Sequence, residues 1–293
     1  MKIFYIVIIA MLILAPSVTS AVDNQEDTTK LDVPSFLMRS TFKIQGEVSP
    51  GKTLLGTTFI MGLPSKDDPK KLYYVLITAA HVLEGIKNDD AILYLRIKEG
   101  DEFKKLPYPI HIREKGTPLW VRHPDVDVAA MWVRLPNNAD ITLISTELLG
   151  TDKILKEFQV HPGDQLFVLG FPYGAESNEA GFPILRSGRI SSYPLTPTEI
   201  YKTFLLDFGV FEGNSGGPVL FYSENRNYEG SPHFGSVQFI MGVVSQENEI
   251  TEHIESLNET VTRKHNLSLA VIVQARFVSD LLKMLPPIPN DTP

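Results

Sequence analysis

No cysteine occurs anywhere in the 293 residues. That excludes disulfides, thiolate metal sites and a cysteine nucleophile, so stability has to come from the packed core. Basic runs are missing as well: no stretch of Lys and Arg exceeds two residues, and the formal net charge is −8. A nucleic-acid partner is therefore not expected. The seven histidines contain no HExxH and no i, i+4 pair. With no phosphate loop or dinucleotide fingerprint either, neither a metal nor a cofactor is expected. Long apolar runs are absent except at the start, where residues 3–15 read IFYIVIIAMLILA. A bilayer span needs roughly 20 such residues, and this run stops short.

What that first segment does have is the order of an export signal. Lys2 gives a positive start, Pro16 ends the apolar run, and Val18, Ser20 and Ala21 are small. Residues 1–21 are therefore expected to be removed, with the mature chain starting near Ala21 or Val22. The expectation is a periplasmic or secreted protein with no stable membrane anchor after cleavage.

Short alternating or apolar runs dominate the rest: Ser40–Val48, Gly56–Gly62, Leu72–Ala79, Ala91–Ile97 and Val126–Arg134. Clusters of Gly, Pro, Ser, Asn and Asp separate them, the pattern of strands closed by turns. A polar, irregular stretch follows from Pro136 to about His161. A second set then runs through Gln165–Gly170, Ile184–Tyr193, Thr203–Phe208, Pro218–Tyr222, Gln238–Ser245 and Leu269–Val273. The polar segment Glu247–His265 reads as a helix or a long loop. Phe277, Val278, Leu281, Leu282 and Leu285 recur at helical spacing before Pro286 and Pro287, which predicts a C-terminal helix packed on the second set. The fold class is all-β: an N-terminal barrel over residues 34–140, a connector over 141–160, a C-terminal barrel over 161–274 and a helix over 275–286.

Three short segments carry candidate chemistry. In Glu212-Gly213-Asn214-Ser215-Gly216-Gly217-Pro218, three glycines surround one serine. Glycines let backbone N–H groups come close to an incoming oxygen, which acyl transfer needs as charge builds on the carbonyl. A glycine-rich turn with an incidental serine is the plain alternative. In Leu76-Ile77-Thr78-Ala79-Ala80-His81, an apolar strand runs into small residues and a histidine, the natural base for a serine hydroxyl. Taken alone, such a histidine is more often structural. In Val126-Asp127-Val128-Ala129-Ala130, an aspartate opens an apolar strand, where a buried carboxylate needs a partner such as an imidazole N–H. Asp125 competes for this role, although it follows Pro124 in a turn-like His-Pro-Asp. The order His, Asp, Ser places the first two in one β set and the serine in the other. A Gly-x-Ser-x-Gly esterase elbow fits the serine segment literally. It requires the order Ser, Asp, His and a helix after the serine, and neither is present.

These segments resemble the three signatures of the chymotrypsin-like serine proteases of trypsin and HtrA type. Gly56-Thr57-Thr58-Phe59-Ile60, Gly170-Phe171-Pro172-Tyr173-Gly174 and Met241-Gly242-Val243-Val244-Ser245 are similar to other strands and turns of that family. The resemblance implies two six-stranded antiparallel β-barrels with the site in the cleft between them. It implies a serine endopeptidase acting on polypeptides, with Ser215 as nucleophile, His81 as base and Asp127 as orienting acid. It implies an oxyanion hole from the backbone N–H groups of Gly213 and Ser215, and a specificity pocket that includes Gly209, Val243 and Ser245. Two departures narrow it. Asn214 stands where zymogen-activated relatives carry an aspartate. Gly209 stands where Arg/Lys-cutting relatives carry an acid, so a small or apolar P1 residue is expected. About 70 residues follow the serine motif, so no PDZ domain is expected after it. A binding or scaffold protein on the same fold, with a silent triad, is the alternative function.

Overall fold

The computed structural model describes residues 33–64, 72–228, 230–232, 235–255 and 260–288. The export segment expected at residues 1–21 lies outside the described residues. Among the described residues, no helix is long and apolar enough to cross a membrane.

The described residues open with α1 (Val33–Ser40), which buries Leu37, and continue into β1 (Thr41–Ser49), β2 (Lys52–Pro64) and β3 (Leu72–Thr78). A short helix, α2 (Ala80–Gly85), leads to β4 (Asp90–Glu99) and β5 (Glu102–His111). The two-residue ladders β6 (Arg113–Glu114) and β7 (Thr117–Pro118) form a small hairpin before β8 (Val121–Arg122) and β9 (Ala129–Val133). The larger strands form one antiparallel sheet of seven, in the order β5-β4-β1-β2-β3-β9-β8. Five of these strands, β1 to β4 and β9, correspond to runs read in the sequence; β5 and the two-residue β8 do not, and Pro107 and Pro109 hide β5 from a propensity reading. Proline cannot donate to a ladder, and β5 sits at the end of the strand order, pairing only with β4 in this sheet.

The connector is not wholly irregular. It contains a 3-10 turn at Thr146–Leu148 and α3 (Asp152–Glu157), which Thr151 caps by accepting from the Ile154 N–H. Then come β10 (Gln165–Gly170), β11 (Ile184–Ile190), β12 (Thr203–Asp207) and β13 (Pro218–Glu224). The small ladder β14 (Asn227–Tyr228) with β15 (Ser231–Pro232) precedes β16 (Ser236–Glu255), β17 (Thr260–Gln274) and α4 (Ala275–Met284). A closed barrel results, in the order β10-β11-β12-β17-β16-β13. Closure leaves none of these six strands with a free edge within the barrel.

Where the structure describes the polar segment Glu247–His265 it is strand and not helix or long loop: residues 247–255 and 260–265 continue β16 and β17 as an antiparallel ribbon, paired from Glu249↔Asn266 to Glu255↔Thr260. Backbone pairing sustains this ribbon, and no apolar alternation in the sequence announces it.

Apolar residues gather in three clusters. One fills the sheet, around Phe42, Ile60, Leu76 and Leu93; another fills the barrel, around Val168, Phe204, Phe221 and Ile272. The third lies between the halves and joins Phe59, Val75 and Val128 to Leu220, Ile240 and Val273. Helix α4 belongs to this seam, with Phe277, Val278 and Leu281 buried in it. Helix α4 packs on β16 and β17 of the second set, and it also touches β8 and β9 of the first. The Trp132 indole N–H donates to the Pro286 carbonyl at 2.9 Å, and Phe277 meets His123 edge-on at 5.1 Å.

Arg96 of β4 is fully buried. Its guanidinium donates to the carbonyls of Met38, Arg39, Thr41 and Gly181, and lies 4.4 Å from the Phe42 ring centre and 4.3 Å from that of Phe182. It thereby ties α1 and the sheet to the loop that precedes β11. Burial pulls its pKa down to about 9, which still leaves it charged at neutral pH.

Candidate active site

The register of β3 on β9 brings the first two candidates together. Thr78 pairs with Ala129 at one end of the ladder, so His81 and Asp127 both emerge just beyond that end. Ala79 and Ala80 are completely buried, and their small side chains let the chain turn into α2 against the sheet. His81 Nδ1 lies 2.7 Å from Asp127 Oδ2, and the His81 backbone N–H donates to Asp127 Oδ1 at 2.9 Å. The carboxylate thus grips one residue at two points. That fixes the proton on Nδ1 and leaves Nε2 as the available ring nitrogen.

Asp125 is elsewhere. It pairs with Lys202 Nζ at 2.8 Å, and its side chain is 53% exposed against 23% for Asp127. The choice left open by the sequence therefore falls to Asp127 as the partner of His81.

Asp127 receives a third donor from the barrel: Ser245 Oγ donates to Oδ2 at 2.7 Å. Burial on its own would raise the Asp127 pKa. The hydrogen bonds from His81 and Ser245, together with the His81 charge, outweigh it and hold the group at about 2.

Ser215 sits in the loop between β12 and β13, and Thr57 of β2 fastens that loop to the sheet. The Thr57 N–H donates to the Ser215 carbonyl at 2.8 Å, and Thr57 Oγ1 donates to the Gly213 carbonyl at 2.6 Å. On the barrel side, the Gly216 N–H donates to the Val244 carbonyl at 2.7 Å, and the Val244 N–H to Gly217 at 2.9 Å. No role for Thr57 follows from the sequence; its one signal is that it and Thr58 are hydroxyl residues in the otherwise apolar, fully buried middle of β2.

Two glycines are dictated by this geometry. Gly213 has φ +95°, and a Cβ there would fall 2.2 Å from the Phe171 carbonyl oxygen. Gly216 has φ +89°, and its Cβ would fall 2.1 Å from both the Thr57 carbonyl oxygen and Thr78 Oγ1. Among the described residues, the backbone N–H groups of Gly213 and Ser215 donate to no protein acceptor. The arrangement can therefore offer two donors to an oxyanion.

Ser215 Oγ itself donates to the Ser245 carbonyl at 2.9 Å, and among the described residues no hydrogen bond joins it to His81. The remaining pocket candidates divide. Val243 is fully buried in the seam cluster, so its side chain is out of a substrate's reach. Ser245 spends its hydroxyl on Asp127. Gly209 lies in the serine loop, where its carbonyl accepts from Arg186 Nη1 at 3.0 Å.

The family described as the trypsin-like peptidase domain matches residues 65–226. No curated protein sequence matches the chain significantly. Among solved structures, the chain is similar to the Rv3671c protease from M. tuberculosis in its active form, at 20% identity over 88% of this chain and 87% of that one, with a TM-score of 0.46. It is also similar to the protease Anisep from Arthrobacter nicotinovorans, at 13% identity, 84% and 95% coverage and a TM-score of 0.44. A third is human heparin binding protein, at 12% identity, 88% and 95% coverage and a TM-score of 0.47. The family match spans more than half of the sequence, and the chain belongs to the trypsin-like peptidase domain family.

Proposed function

We propose that this peptidase is a serine endopeptidase in which Ser215, His81 and Asp127 act as nucleophile, base and orienting acid. The observation that carries the reading is the contact of His81 Nδ1 with Asp127 Oδ2 at 2.7 Å, in a site that also holds Ser215. With Nδ1 engaged, His81 Nε2 takes the proton from Ser215 Oγ as Oγ attacks the substrate carbonyl carbon. The oxyanion is held by the N–H groups of Gly213 and Ser215, two donors worth roughly 3–4 kcal/mol each to such a transition state. His81 then gives its proton to the leaving amine, and water releases the acyl group by the same steps in reverse roles. Before attack, Ser215 Oγ must leave the Ser245 carbonyl and turn to His81. Unliganded sites often carry such poorly aligned hydrogen bonds. With Gly209 providing no counter-ion, the enzyme is not specific for Arg or Lys.

A fluorophosphonate tests this directly, since it should form an adduct on Ser215 of the folded mature chain. The competing reading is a catalytically silent binding protein on the same fold. One observation favours it, namely that Ser215 Oγ is held by Ser245 and not by His81. Absence of an adduct together with absence of peptide cleavage would establish that reading instead.

Residues 1–21 support an exported enzyme, periplasmic or secreted. N-terminal sequencing of the protein recovered outside the cytoplasm should begin near Ala21 or Val22.

A further inference from the structure

We infer that Arg186 selects substrates carrying Asp or Glu on the acyl side of the cleaved bond. This rests on the serine-peptidase reading above and replaces the small or apolar P1 residue expected from sequence.

Strand β11 alternates regularly: Leu185, Ser187 and Arg189 are exposed, while Ile184, Arg186, Gly188 and Ile190 turn inward. The inner face of a small barrel is ordinarily filled by apolar side chains. At position 186 it carries a guanidinium. That group lies 4.3 Å from the Phe208 ring centre and 4.9 Å from that of Phe211, and Nη1 donates to the Gly209 carbonyl at 3.0 Å. Phe208, Gly209 and Phe211 all belong to the loop that presents Ser215 and the two free N–H groups. The cation is therefore built into the same loop as the nucleophile.

Two further features show that it is not satisfied by the protein. Among the described residues, no carboxylate forms an ion pair with Arg186, and one of its five N–H groups has an acceptor. Two other half-buried arginines do have a carboxylate, Arg39 with Asp140 and Arg226 with Asp164, and fully buried Arg96 has four carbonyls instead. Taking a charge out of water without a counter-ion is costly, and a ligand anion would offset that cost.

The second feature is the space beside it. A Cβ added to Gly209 would meet nothing nearer than Phe211 Cζ at 4.0 Å. At Gly213, Gly216 and Gly217, by contrast, it would strike backbone or hydroxyl atoms at 2.1–2.2 Å. The glycine at 209 is thus required neither by a left-handed backbone nor by close packing. It leaves room next to the guanidinium.

A planar carboxylate fits the guanidinium fork, whereas a Lys or Arg side chain would meet like charge. An apolar side chain would expel water from the cation and offer nothing in return, which is how a polar site rejects analogues lacking its partner. Glu212 is the one acid between Phe208 and Pro218, and it is exposed, so solvent and salt screen it.

The test uses C-terminally amidated peptides that differ only in the residue before the scissile bond: Glu, Asp, Gln, Leu or Lys. The full mature enzyme should cleave the Glu or Asp peptide about 100-fold faster in kcat/KM than the Gln peptide. Arg186→Gln should bring the Glu-to-Gln ratio close to one, and Arg186→Lys should restore part of it. Gly209→Asp gives a second variant, which places a fixed carboxylate beside the guanidinium and should also abolish the ratio. Equal wild-type rates on Glu and Gln peptides would overturn the inference whether or not the variants fold. So would a preference that requires a free C-terminal carboxylate. Fluorophosphonate labelling separates the two levels. A labelled Ser215 without acid preference sinks this inference alone, whereas an unlabelled, inactive wild type sinks the serine-peptidase reading beneath it.

Discussion

The hydroxyl of Ser245 donates to Asp127 Oδ2 at 2.7 Å, joining strand β16 of the barrel to the turn before β9 of the sheet. The Ser245 carbonyl meanwhile accepts from Ser215 Oγ. One residue therefore touches both ends of the proposed triad. Ser245→Ala removes one of the donors that hold the carboxylate. We expect kcat to fall about tenfold with KM little changed, the signature of an interaction that matters for orientation more than for substrate binding. Steady-state kinetics on a single peptide would show it.

The two candidate aspartates should separate by mutation. Asp127→Asn leaves His81 without its acceptor and favours the wrong tautomer, so kcat should fall by at least about 1000-fold. Asp125→Asn loses only an exposed pair with Lys202, so the rate should stay within about twofold and the stability should be essentially that of the wild type. The reverse ranking would show that the acid is Asp125.

The low pKa of Asp127 predicts a particular pH dependence of stability. A folded-state value near 2 against an unfolded value near 4 means that the unfolded chain takes up the proton first. The stabilisation, about 2 kcal/mol, is therefore fully present above pH 4 and is lost as pH falls towards 2. Thermal melts of wild type and Asp127→Asn should differ at pH 6 and converge over that window.

Gly213→Ala would push a methyl group into the Phe171 carbonyl and strain a φ of +95°. The loop must shift to accommodate it, displacing one of the two oxyanion donors, so kcat should drop by about 100-fold or more. A covalently bound transition-state analogue should dissociate correspondingly faster from the variant.

Arg96→Met keeps bulk at a fully buried position but abandons four carbonyl oxygens. Denaturant unfolding should register a loss of about 3 kcal/mol or more. Arg96→Lys should recover little of this, because one ammonium group cannot reach the carbonyls on both α1 and the loop at Gly181.

How much of this could be read beforehand depended on what kind of signal each part leaves. Strands with one face in the core announced themselves by alternation, and β10 was bounded correctly at Gln165–Gly170. His81, Asp127 and Ser215 stood out as candidates because glycines, alanines and apolar runs mark places where backbone must pass close to something. Parts without such a mark stayed hidden. Strand β5 is masked by two prolines, the β16–β17 ribbon is polar, and α1 is a short helix with little periodicity to read. The task of Thr57, which reaches from β2 to the loop around Ser215, depends on contacts over 156 residues of sequence separation. The same holds for Ser245: a lone serine after an apolar strand gives no hint that it will meet an aspartate 118 residues earlier.

Helix α4 follows every strand of both halves in the chain, yet it is buried against β8 and β9 as well as the barrel. Phe277, Val278 and Leu281 join the seam that Leu220, Ile240 and Val273 of the barrel already share with Phe59, Val75 and Val128 of the sheet. The helix is thus a clasp across a joint: a chain cut before Ala275 would keep the described strands of both halves but lose the one helix of the second half that grips the first.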